Sequence, residues 1–476
     1  MLNFRVLLKA IPKFVFVEKT VVMDFRKMTP SSDRQDASSD QTTVLHDFLF
    51  RENMARIARE QIPERAVYAK GSGAYGTFTV SRDLSAYTQA KLFSKAGNSC
   101  KIFTRFSTLG SEKGSPDAAR DLRGFAIKFY TEEGNWDLVG NNTPVFFIND
   151  PKKFPDFITS HKKLPKTNLK CANSMWDFYS QNPESLHQIM MLMSDRGTPK
   201  GYRHMNGYGS HTFSMINEAK EKVWVKFHLK TQQGIQNFSR EEAIRNSGEH
   251  PDSAQEDLCD AIEQGNFPSW IMYIQVMTEE QAKNSRWNPF DVTKVWFQDE
   301  FPLIEIGKIE LNEIPSDYFS HVEQAAFAPS NLIPGIGFSP DKMLQARLFS
   351  YPDSQRHRIG INAGQIQVNQ SPFTGNQNPS LRQNEMDFSQ YIALETDEDH
   401  YTQPGLLYTK VMNTEERNRL IHNIIESMKE IKGNQKDEII NRQLCHFFRA
   451  NIEMGMKIAM GLQINIDANT LSHAKV

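Results

Sequence analysis

Seven segments between residues 74 and 311 have the character of β-strands, and their density constrains the fold more than any other feature. Several of them alternate apolar and polar residues, which is the pattern of half-buried strands. Short polar stretches at 133–135 and 218–221 separate neighbouring segments at hairpin spacing. So many strands without regular βαβ alternation predict a closed antiparallel β-barrel. The predicted strands are residues 74–80, 101–108, 124–130, 212–217, 222–230, 270–277 and 303–311.

Helical segments are inserted among the strands, and a second helical group follows them. Near the C-terminus, Asn413 followed three residues later by Glu416 forms a capping box at the start of a helix. Apolar residues then recur on one helical face at positions 420, 421, 424, 425 and 428, and a further helix carries them at 439, 440, 444, 447 and 448. The inserted helices are predicted around residues 184–193, 240–246 and 254–264.

These patterns predict an α+β fold in four parts. Residues 1–43 are an N-terminal extension, and residues 44–361 are the barrel with its inserted helices. Residues 362–412 are rich in Asn, Gln, Ser and Pro and lose hydrophobic periodicity, which predicts a long extended segment that wraps around the barrel. Residues 413–476 form the C-terminal helical region.

The charge balance excludes partners that are bound through bulk electrostatics. Lys plus Arg number 55 and Asp plus Glu number 57, for a net charge of −2. We therefore expect neither nucleic acid nor an anionic membrane as a partner. No segment has the roughly 18 to 20 consecutive apolar residues of a membrane-spanning helix. The four cysteines lie far apart without a CxxC pair, which favours a reducing intracellular compartment.

Residues 71–76 read GSGAYG and match the GxGxxG pattern of dinucleotide sites. That loop must follow a strand and begin a helix. Here a helix-like segment, 56–61, precedes the glycines, and a strand-like segment, 77–80, follows them. We therefore predict a plain glycine turn rather than a nucleotide-binding loop.

One predicted helix, residues 339–351, carries an informative pair of side chains. Ser339 is expected to cap it and Pro352 to end it. Arg347 and Tyr351 stand four residues apart and so share one face. A cation beside a phenol oxygen favours the phenolate, and a tyrosinate is an iron ligand. By itself the pair also fits ordinary packing, so both interpretations stay open at this point.

Several blocks of the sequence resemble those of monofunctional heme catalases, in the same order along the chain. The predicted helix together with residues 353–358 resembles the heme-binding helix of that family. The resemblance spans about residues 44–420 and implies a β-barrel, a heme b cofactor with its iron, and decomposition of hydrogen peroxide to water and oxygen. The other matching blocks are IPERAVYAKG at 62–71, RFST at 105–108, RGFA at 123–126, NWDLVGNNTP at 135–144 and HMNGYGSH at 204–211.

The resemblance also assigns roles to individual residues. Tyr351 takes the position of the proximal iron ligand, with Arg347 as its partner and with His211 and Asp341 behind them. Further positions match arginines that pair with heme propionates, apolar residues that line the heme pocket, and distal polar groups. In that order they are Arg65, Arg105 and Arg358; Val67, Phe146, Phe147 and Phe154; and Ser107 and Asn141.

Tyr68 stands where the family carries its distal histidine. In the family's mechanism the imidazole moves a proton between the two oxygens of peroxide, and an asparagine, here Asn141, holds the peroxide. Imidazole, with a pKa of about 6.5, accepts and donates protons near neutrality, whereas a phenol with a pKa of about 10 has no basic capacity there. The sequence therefore predicts a heme enzyme that acts on hydrogen peroxide, slowly as a catalase or as a peroxidase that uses an organic donor.

Two alternatives to such an enzyme remain. The first is a pseudo-catalase that binds heme and serves a sensing, scaffold or partner role. The second is a barrel that carries other apolar ligands, which predicts colourless purified protein. Relatives assemble as tetramers, interlocked through an N-terminal arm and a wrapping loop, and both the arm before residue 44 and the loop at 369–390 are shorter here. We expect a homo-oligomer.

A nicotinamide nucleotide is a further cofactor that the resemblance implies, since some family members bind NADPH on their surface. The matching positions are His187, Ser194, Arg196, Asn206, Tyr208, Lys230 and Trp296. Gln298 and Asp299 replace a histidine and a cation of NADPH-binding relatives, which opposes binding.

The compartment is only weakly constrained by the sequence. The resemblance implies an intracellular and peroxisomal protein, but the final residues, 472–476, do not form an SKL-type signal. Residues 1–17 carry three basic residues and no acid, so mitochondrial and cytoplasmic locations stay open.

Overall fold

The computed structural model describes residues 47–110, 112–372 and 399–464. The chain forms two units, Met1–Gln61 and Ile62–Val476. In the first unit the structure describes helix α1, Phe48–Arg59, whose first turn is capped by the Asp47 carboxylate at 2.9 Å from Phe50 N. The basic segment 1–17, the rest of the N-terminal extension 1–43 and the C-terminal residues 465–476 lie outside the described residues.

The second unit is built around an antiparallel sheet that closes on itself. Strands β1, β2, β3, β4, β5, β7, β8 and β9 form a closed ring of eight, because β7 pairs with β5 on one side and with β8 on the other. Strands β6 and β10 extend the sheet beside β7. The strands are β1 Gly71–Val80, β2 Ser99–Thr108, β3 Arg123–Thr131, β4 Gly134–Asn141, β5 Gly207–Tyr208, β6 Phe213–Ile216, β7 Lys222–Thr231, β8 Ser269–Thr278, β9 Ile304–Glu313 and β10 Ile336–Gly337.

The predicted barrel and all seven predicted strands are confirmed. The alternating residues of these strands place large aromatic rings inside, where Phe106, Phe125 and Trp270 pack at centroid distances of 4.8 to 5.7 Å. Strand β4 was missed because its sequence, GNWDLVGN, has too few apolar residues to show alternation. Strands β5 and β10 have two residues each, which is too short for any pattern.

Eleven further helices are described in the second unit. The three predicted inserted helices are confirmed as α4, α5 and α6, and the two predicted C-terminal helices as α10 and α11. The capping box of Asn413 and Glu416 is present at the start of α10. The helices are α2 Phe154–His161, α3 Ala172–Gln181, α4 Leu186–Met193, α5 Arg240–Glu249, α6 Ser253–Glu263, α7 Glu279–Lys283, α8 Lys342–Ile359, α9 Thr402–Leu406, α10 Thr414–Met428, α11 Lys436–Ala450 and α12 Ile452–Gly461.

Helix α8 differs from its prediction at both ends. Asp341 is the N-cap, since its Oδ1 accepts from Met343 N and Leu344 N, whereas the Ser339 hydroxyl donates to a barrel carbonyl. Pro352 does not end the helix, which continues to Ile359. The last turns are held by Arg358, a buried side chain that bonds to the carbonyl oxygens of Pro63 and Glu323, and these contacts offset the cost of an internal proline.

The predicted glycine turn at 71–76 is wrong, because these residues begin strand β1. The glycines are required by close packing: a Cβ on Gly71 would lie 2.4 Å from Phe106 O, and one on Gly76 would lie 2.0 Å from Glu310 O. The neighbouring strands thus approach the β1 backbone too closely for any side chain. A strand at residues 71–76 is consistent with our interpretation that they do not form a dinucleotide-binding loop.

The C-terminal helices pack with α2, α3 and α4 around a second hydrophobic core, separate from the barrel interior. Of the predicted wrapping segment, residues 373–398 lie outside the described part of the chain, and residues 402–411 are helical. The four-part division of the chain therefore stays a prediction. In the described residues, no helix has the length and hydropathy needed to span a bilayer.

A buried ion pair links the barrel wall to the loop that follows β9. Lys128 Nζ lies 2.8 Å from each carboxylate oxygen of Asp137, and both side chains are almost fully buried. Asp137 Oδ2 also accepts from Ala328 N at 2.9 Å and from Asn331 Nδ2 at 2.8 Å. The pair therefore fixes residues 328–331 against β3 and β4.

We expect Lys128→Met to destabilise the protein by about 3 to 5 kcal/mol, because it leaves the Asp137 carboxylate buried without its cation. Lys308→Met is the matched control, since Lys308 forms an exposed pair with Glu310 and its loss should cost at most about 1 kcal/mol. Urea unfolding followed by tryptophan fluorescence measures both. Equal destabilisation of the two variants would contradict the structural role of the buried pair.

Candidate functional site

A cavity of about 420 Å³ lies between the barrel wall and helix α8. Residues 65–68 and strands β2, β3 and β4 form one part of its lining, and α8 forms another. The lining is mainly apolar, with polar groups concentrated in three places that are described in turn below. Such a cavity suits a large apolar ligand that carries a few polar groups.

On the α8 side, four side chains form a continuous series of hydrogen bonds. Asp341 Oδ2 lies 2.6 Å from His211 Nδ1, His211 Nε2 lies 2.7 Å from Arg347 Nη1, and Arg347 Nη2 donates to the Tyr351 hydroxyl at 2.7 Å. Because a guanidinium only donates, His211 Nε2 is the acceptor and its Nδ1 carries the hydrogen toward Asp341. Burial lowers the pKa of His211, which keeps the ring neutral.

On the opposite side, Tyr68, Asn141 and Ser107 face the cavity together. Asn141 Nδ2 donates to the Tyr68 hydroxyl at 2.8 Å. Ser107 and Tyr68 both lie against Gly124, where an added Cβ would come within 2.4 Å of Ser107 Oγ and 3.0 Å of Tyr68 Cδ1. A glycine at this position therefore leaves the room in which the phenol ring lies.

The backbone of Tyr68 is held in the left-handed region, with φ at 62°. This conformation costs a non-glycine residue about 1 to 3 kcal/mol, and surrounding contacts must maintain it. Tyr68 N donates to Leu109 O at 3.0 Å, and Arg105 Nη1 donates to Tyr68 O at 3.0 Å. The side chain at position 68 is thus directed into the cavity by its backbone, whatever the residue type.

Burial raises the pKa of the Tyr68 phenol, and the proximity of Tyr351 raises it further. The hydroxyl is therefore protonated at neutral pH. Among the cavity-lining residues, all of which the structure describes, His211 is the only imidazole, and both of its nitrogens are already hydrogen-bonded. No lining imidazole is free to accept a proton beside Tyr68.

A third polar group lies at the edge of the cavity. Arg65 and Arg105 line it, while Arg358 lies just behind and approaches Glu323 Oε1 to 3.5 Å. Arg65 Nη1 lies 3.7 Å from the same oxygen. Burial lowers the pKa of Arg65, and the charges of Arg105 and Arg358 lower it further. Arg65 and Arg358 thus flank a single carboxylate, and the charge of Arg105 interacts with it as well, which leaves an excess of positive charge.

The apolar residues assigned by the resemblance separate into two sets. Val67, Phe146 and Phe154 line the cavity, whereas Phe147 lies behind Phe146 and stacks on Tyr179. The sequence reasoning missed Phe327 and Val292, which also line the cavity from loops. No periodic signal marks either of them.

None of the seven residues matched to a nucleotide site lines this cavity. Arg196 Nη1 lies 3.4 Å from the Tyr208 hydroxyl, and Lys230 Nζ lies 5.3 Å from the Tyr208 ring centroid. Burial raises the pKa of Tyr208, but the two cations outweigh it and lower the pKa to about 8. Asn206 accepts from Thr231 N in the same region.

The remaining three residues of the matched set each have different surroundings. Ser194 caps the turn at Asp195–Gly197. Trp296 Nε1 donates to Pro289 O at 3.2 Å. His187 is buried on α4, and its Nδ1 has no hydrogen-bond partner among the described residues. The structure thus brings Arg196, Tyr208 and Lys230 together as a cationic group.

Comparisons with known proteins identify the family. The family model described as Catalase matches residues 25–403, and a second model, Catalase-related immune-responsive, matches residues 394–462. The chain is 48% identical to a catalase of Staphylococcus aureus, with 92% of this chain and 94% of that protein covered. It is 47% identical to catalase A of Staphylococcus xylosus, with 92% and 98% covered.

The protein belongs to the catalase family.

Solved structures of catalases have the same fold. A bacterial catalase superposes with a TM-score of 0.82 at 39% identity, covering 92% of this chain and 95% of the other. Catalase A from Saccharomyces cerevisiae superposes with a TM-score of 0.82 at 40% identity, covering 90% and 95%. The family implies a heme cofactor and action on hydrogen peroxide.

The cavity of this catalase-family chain fits a heme group. Arg65 Nη1 and Arg105 Nε are buried and have no hydrogen-bond partner among the described residues, so they are available to propionate carboxylates. The excess positive charge beside Glu323 favours the same anionic groups. Tyr351 presents a phenol oxygen with a charged donor beside it, which suits a ferric ligand. Apolar side chains form the rest of the lining.

We expect Arg347→Lys to lower the affinity for heme by about 10-fold to 100-fold, because lysine cannot bond His211 and Tyr351 at once with a planar fork. Heme titration of the apoprotein, followed by visible absorbance, measures the change. Arg356→Lys is the matched control, since Arg356 lies on the same helix and is exposed. Unchanged affinity in Arg347→Lys would contradict the role of the bridge.

Proposed function

We propose that this catalase-family protein uses heme b to decompose hydrogen peroxide to water and oxygen, and that its turnover is slow. The observation that carries the proposal is the hydrogen bond from Asn141 Nδ2 to the Tyr68 hydroxyl at 2.8 Å. Asn141 and Tyr68 face the cavity from the side opposite α8 and are hydrogen-bonded to each other, and neither side chain is a base at neutral pH.

The residues on the α8 side hold the cofactor in this proposal. Bound heme supplies a ferric iron that exchanges electrons with peroxide. Tyr351 provides the oxygen ligand, and Arg347 stabilises its negative charge through a bond at 2.7 Å. His211 and Asp341 fix the orientation of Arg347, so the ligand oxygen keeps its position. Arg65 and Arg105 bind the propionates.

In this proposal the residues opposite α8, Asn141 and Tyr68, bind peroxide but transfer protons poorly. Asn141 Nδ2 donates one hydrogen to Arg123 O at 3.3 Å and the other to Tyr68, so peroxide must displace the phenol to accept a bond from it. Tyr68 donates its proton but does not accept one at neutral pH, because burial raises its pKa. General acid–base catalysis contributes about 100-fold to 10,000-fold, so its loss costs about 3 to 5 kcal/mol of barrier.

A second proposal concerns the cationic group around Tyr208. We propose that Arg196 and Lys230 bind the phosphates of NADPH on the surface of the barrel, because both cations lie beside Tyr208.

Catalases are typically oligomeric, and we propose that this protein is a homo-oligomer. An intracellular location follows from the same resemblance.

Tyr68→His should raise the rate of oxygen release from hydrogen peroxide by at least about 100-fold, since it restores a group that both accepts and donates protons. Tyr68→Phe is the control, because it also removes the bond to Asn141 but adds no base, and its rate should stay near that of the wild type. Oxygen-electrode measurements at equal heme content compare the three proteins.

The outcomes separate the two candidate functions. A wild-type rate equal to that of Tyr68→His would contradict the proposed slow turnover. If no variant releases oxygen although heme is bound, the chain is a pseudo-catalase, for which the engaged Tyr68–Asn141 pair is the favouring observation.

NADPH binding is checked by fluorescence titration of the purified protein. Arg196→Gln should weaken binding by about 10-fold, because it removes a charge-assisted bond to phosphate. Arg245→Gln is the charge-matched control, because Arg245 is exposed on α5. Equal binding by both variants would contradict the assignment.

A further inference from the structure

Three tyrosines are hydrogen-bonded to histidines in the described part of the chain. This arrangement matters for redox chemistry, because a phenol that loses an electron at neutral pH must also lose its proton, and a neutral imidazole accepts one. The proposed peroxide chemistry uses none of them. The pairs, with their O to N distances, are Tyr75 and His321 at 2.7 Å, Tyr179 and His161 at 2.7 Å, and Tyr401 and His446 at 3.0 Å.

The hydrogen positions of the Tyr179–His161 pair follow from its surroundings. His161 Nδ1 lies 2.8 Å from Phe157 O and 2.9 Å from the Ser160 hydroxyl, whose hydrogen is donated to Phe157 O at 2.7 Å. Both neighbouring oxygens therefore act as acceptors, and Nδ1 carries the hydrogen. Nε2 therefore presents its lone pair to the Tyr179 hydroxyl, which donates. Burial lowers the pKa of His161 to about 4 and raises that of Tyr179. At pH 7 the pair is a protonated phenol bonded to a neutral imidazole.

Packed aromatic rings connect Tyr179 to the heme cavity. The Tyr179 ring lies parallel to that of Phe147, with an interplanar angle of 4° and centroids 5.6 Å apart. Phe147 in turn contacts Phe146 at 5.6 Å, and Phe146 lines the cavity. Phe157 lies 4.4 Å from His161 and 5.6 Å from Phe146. Two rings thus separate the pair from the cavity.

The charges near the three tyrosines distinguish them. Lys101 Nζ lies 4.3 Å from the ring centroid of Tyr75, and the Arg449 guanidinium lies 4.1 Å from that of Tyr401. A cation over a ring opposes removal of an electron from it. In the parts of the chain that the structure describes, no cation lies over Tyr179. Asp121 instead acts on Tyr179 with a negative charge.

We propose that Tyr179 and His161 form a proton-coupled electron-donor pair for peroxide reduction in the cavity. The inference rests on the proposed function, because hydrogen peroxide is the oxidant. Tyr179 loses one electron toward the cavity, its O–H bond breaks, and the proton binds to His161 Nε2. The products are a neutral tyrosyl radical and an imidazolium.

A phenol in solution completes the cycle. It gives one electron to Tyr179 and releases its own proton to water, while His161 returns its proton to the Tyr179 oxygen. Two such cycles supply two electrons, which with two protons reduce one hydrogen peroxide to two waters. The pair thereby gives the protein a peroxidase activity with one-electron organic donors.

Freeze-quench EPR on the heme-loaded protein after mixing with one equivalent of hydrogen peroxide tests the pair. We expect a tyrosyl radical signal that narrows when ring-deuterated tyrosine is incorporated. The signal should disappear in Tyr179→Phe and fall at least about 10-fold in His161→Gln, which keeps a hydrogen-bonding side chain but removes the proton acceptor. Tyr75→Phe and Tyr401→Phe, which remove the other two pairs, should leave it unchanged.

The outcomes are distinguishable from a failure of the proposed function. A signal that persists in Tyr179→Phe, or that is lost in Tyr75→Phe or Tyr401→Phe, overturns the assignment. Peroxide consumption by heme-loaded protein without any radical overturns the pair and leaves the proposed function intact. Absence of both heme binding and peroxide consumption overturns the two together. Circular dichroism and heme content per chain, measured for each variant, separate loss of the radical from loss of folding, and His161→Gln decides the matter if Tyr179→Phe does not fold.

Discussion

The bridge made by Arg347 is the interaction on which the rest of the site depends. One nitrogen of its guanidinium bonds to His211, which follows β5, and the other bonds to Tyr351 one turn further along α8. Asp341 serves both ends of the arrangement, since one of its oxygens orients His211 and the other caps α8. The helix and the barrel are therefore joined by the same side chains that position the Tyr351 oxygen. A change in any of them alters both the geometry of the site and the attachment of the helix.

The backbone conformation at position 68 does not depend on which side chain the residue carries. Its left-handed backbone is fixed by Leu109 and Arg105 through main-chain atoms, and Gly124 leaves room for a ring. These contacts accept a phenol as readily as an imidazole, since none of them involves the ring's polar atoms. The fold therefore accommodates either ring at this position, and stability alone gives no reason to expect one rather than the other.

The long strands were predictable because their alternation is a local property of the sequence, whereas features set by tertiary contacts were not. Strand β4 is stabilised in part by Asp137, whose partner Lys128 is identified only once β3 and β4 are paired. Helix α8 passes through Pro352 because Arg358 bonds to distant carbonyl oxygens, and no local pattern shows this. In both cases a non-local polar contact outweighs the local signal.

The site was predictable from the sequence only through resemblance. The i to i+4 spacing placed Arg347 beside Tyr351, but it did not reveal His211, which lies 136 residues from Arg347. Phe327 and Val292 reach the cavity from loops without periodicity.

A histidine that supports the proposed electron donation need not lie beside peroxide, because electrons move between packed aromatic rings whereas a proton needs a direct hydrogen bond. His161 lies behind the aromatic wall formed by Phe146, Phe147 and Phe157, too far along that wall to serve as a base for peroxide. It is, however, in contact with Tyr179, so it accepts a proton when an electron leaves that ring. The Tyr179–His161 pair therefore places a proton acceptor beside the proposed electron donor, although no imidazole of the cavity lining is free to accept a proton.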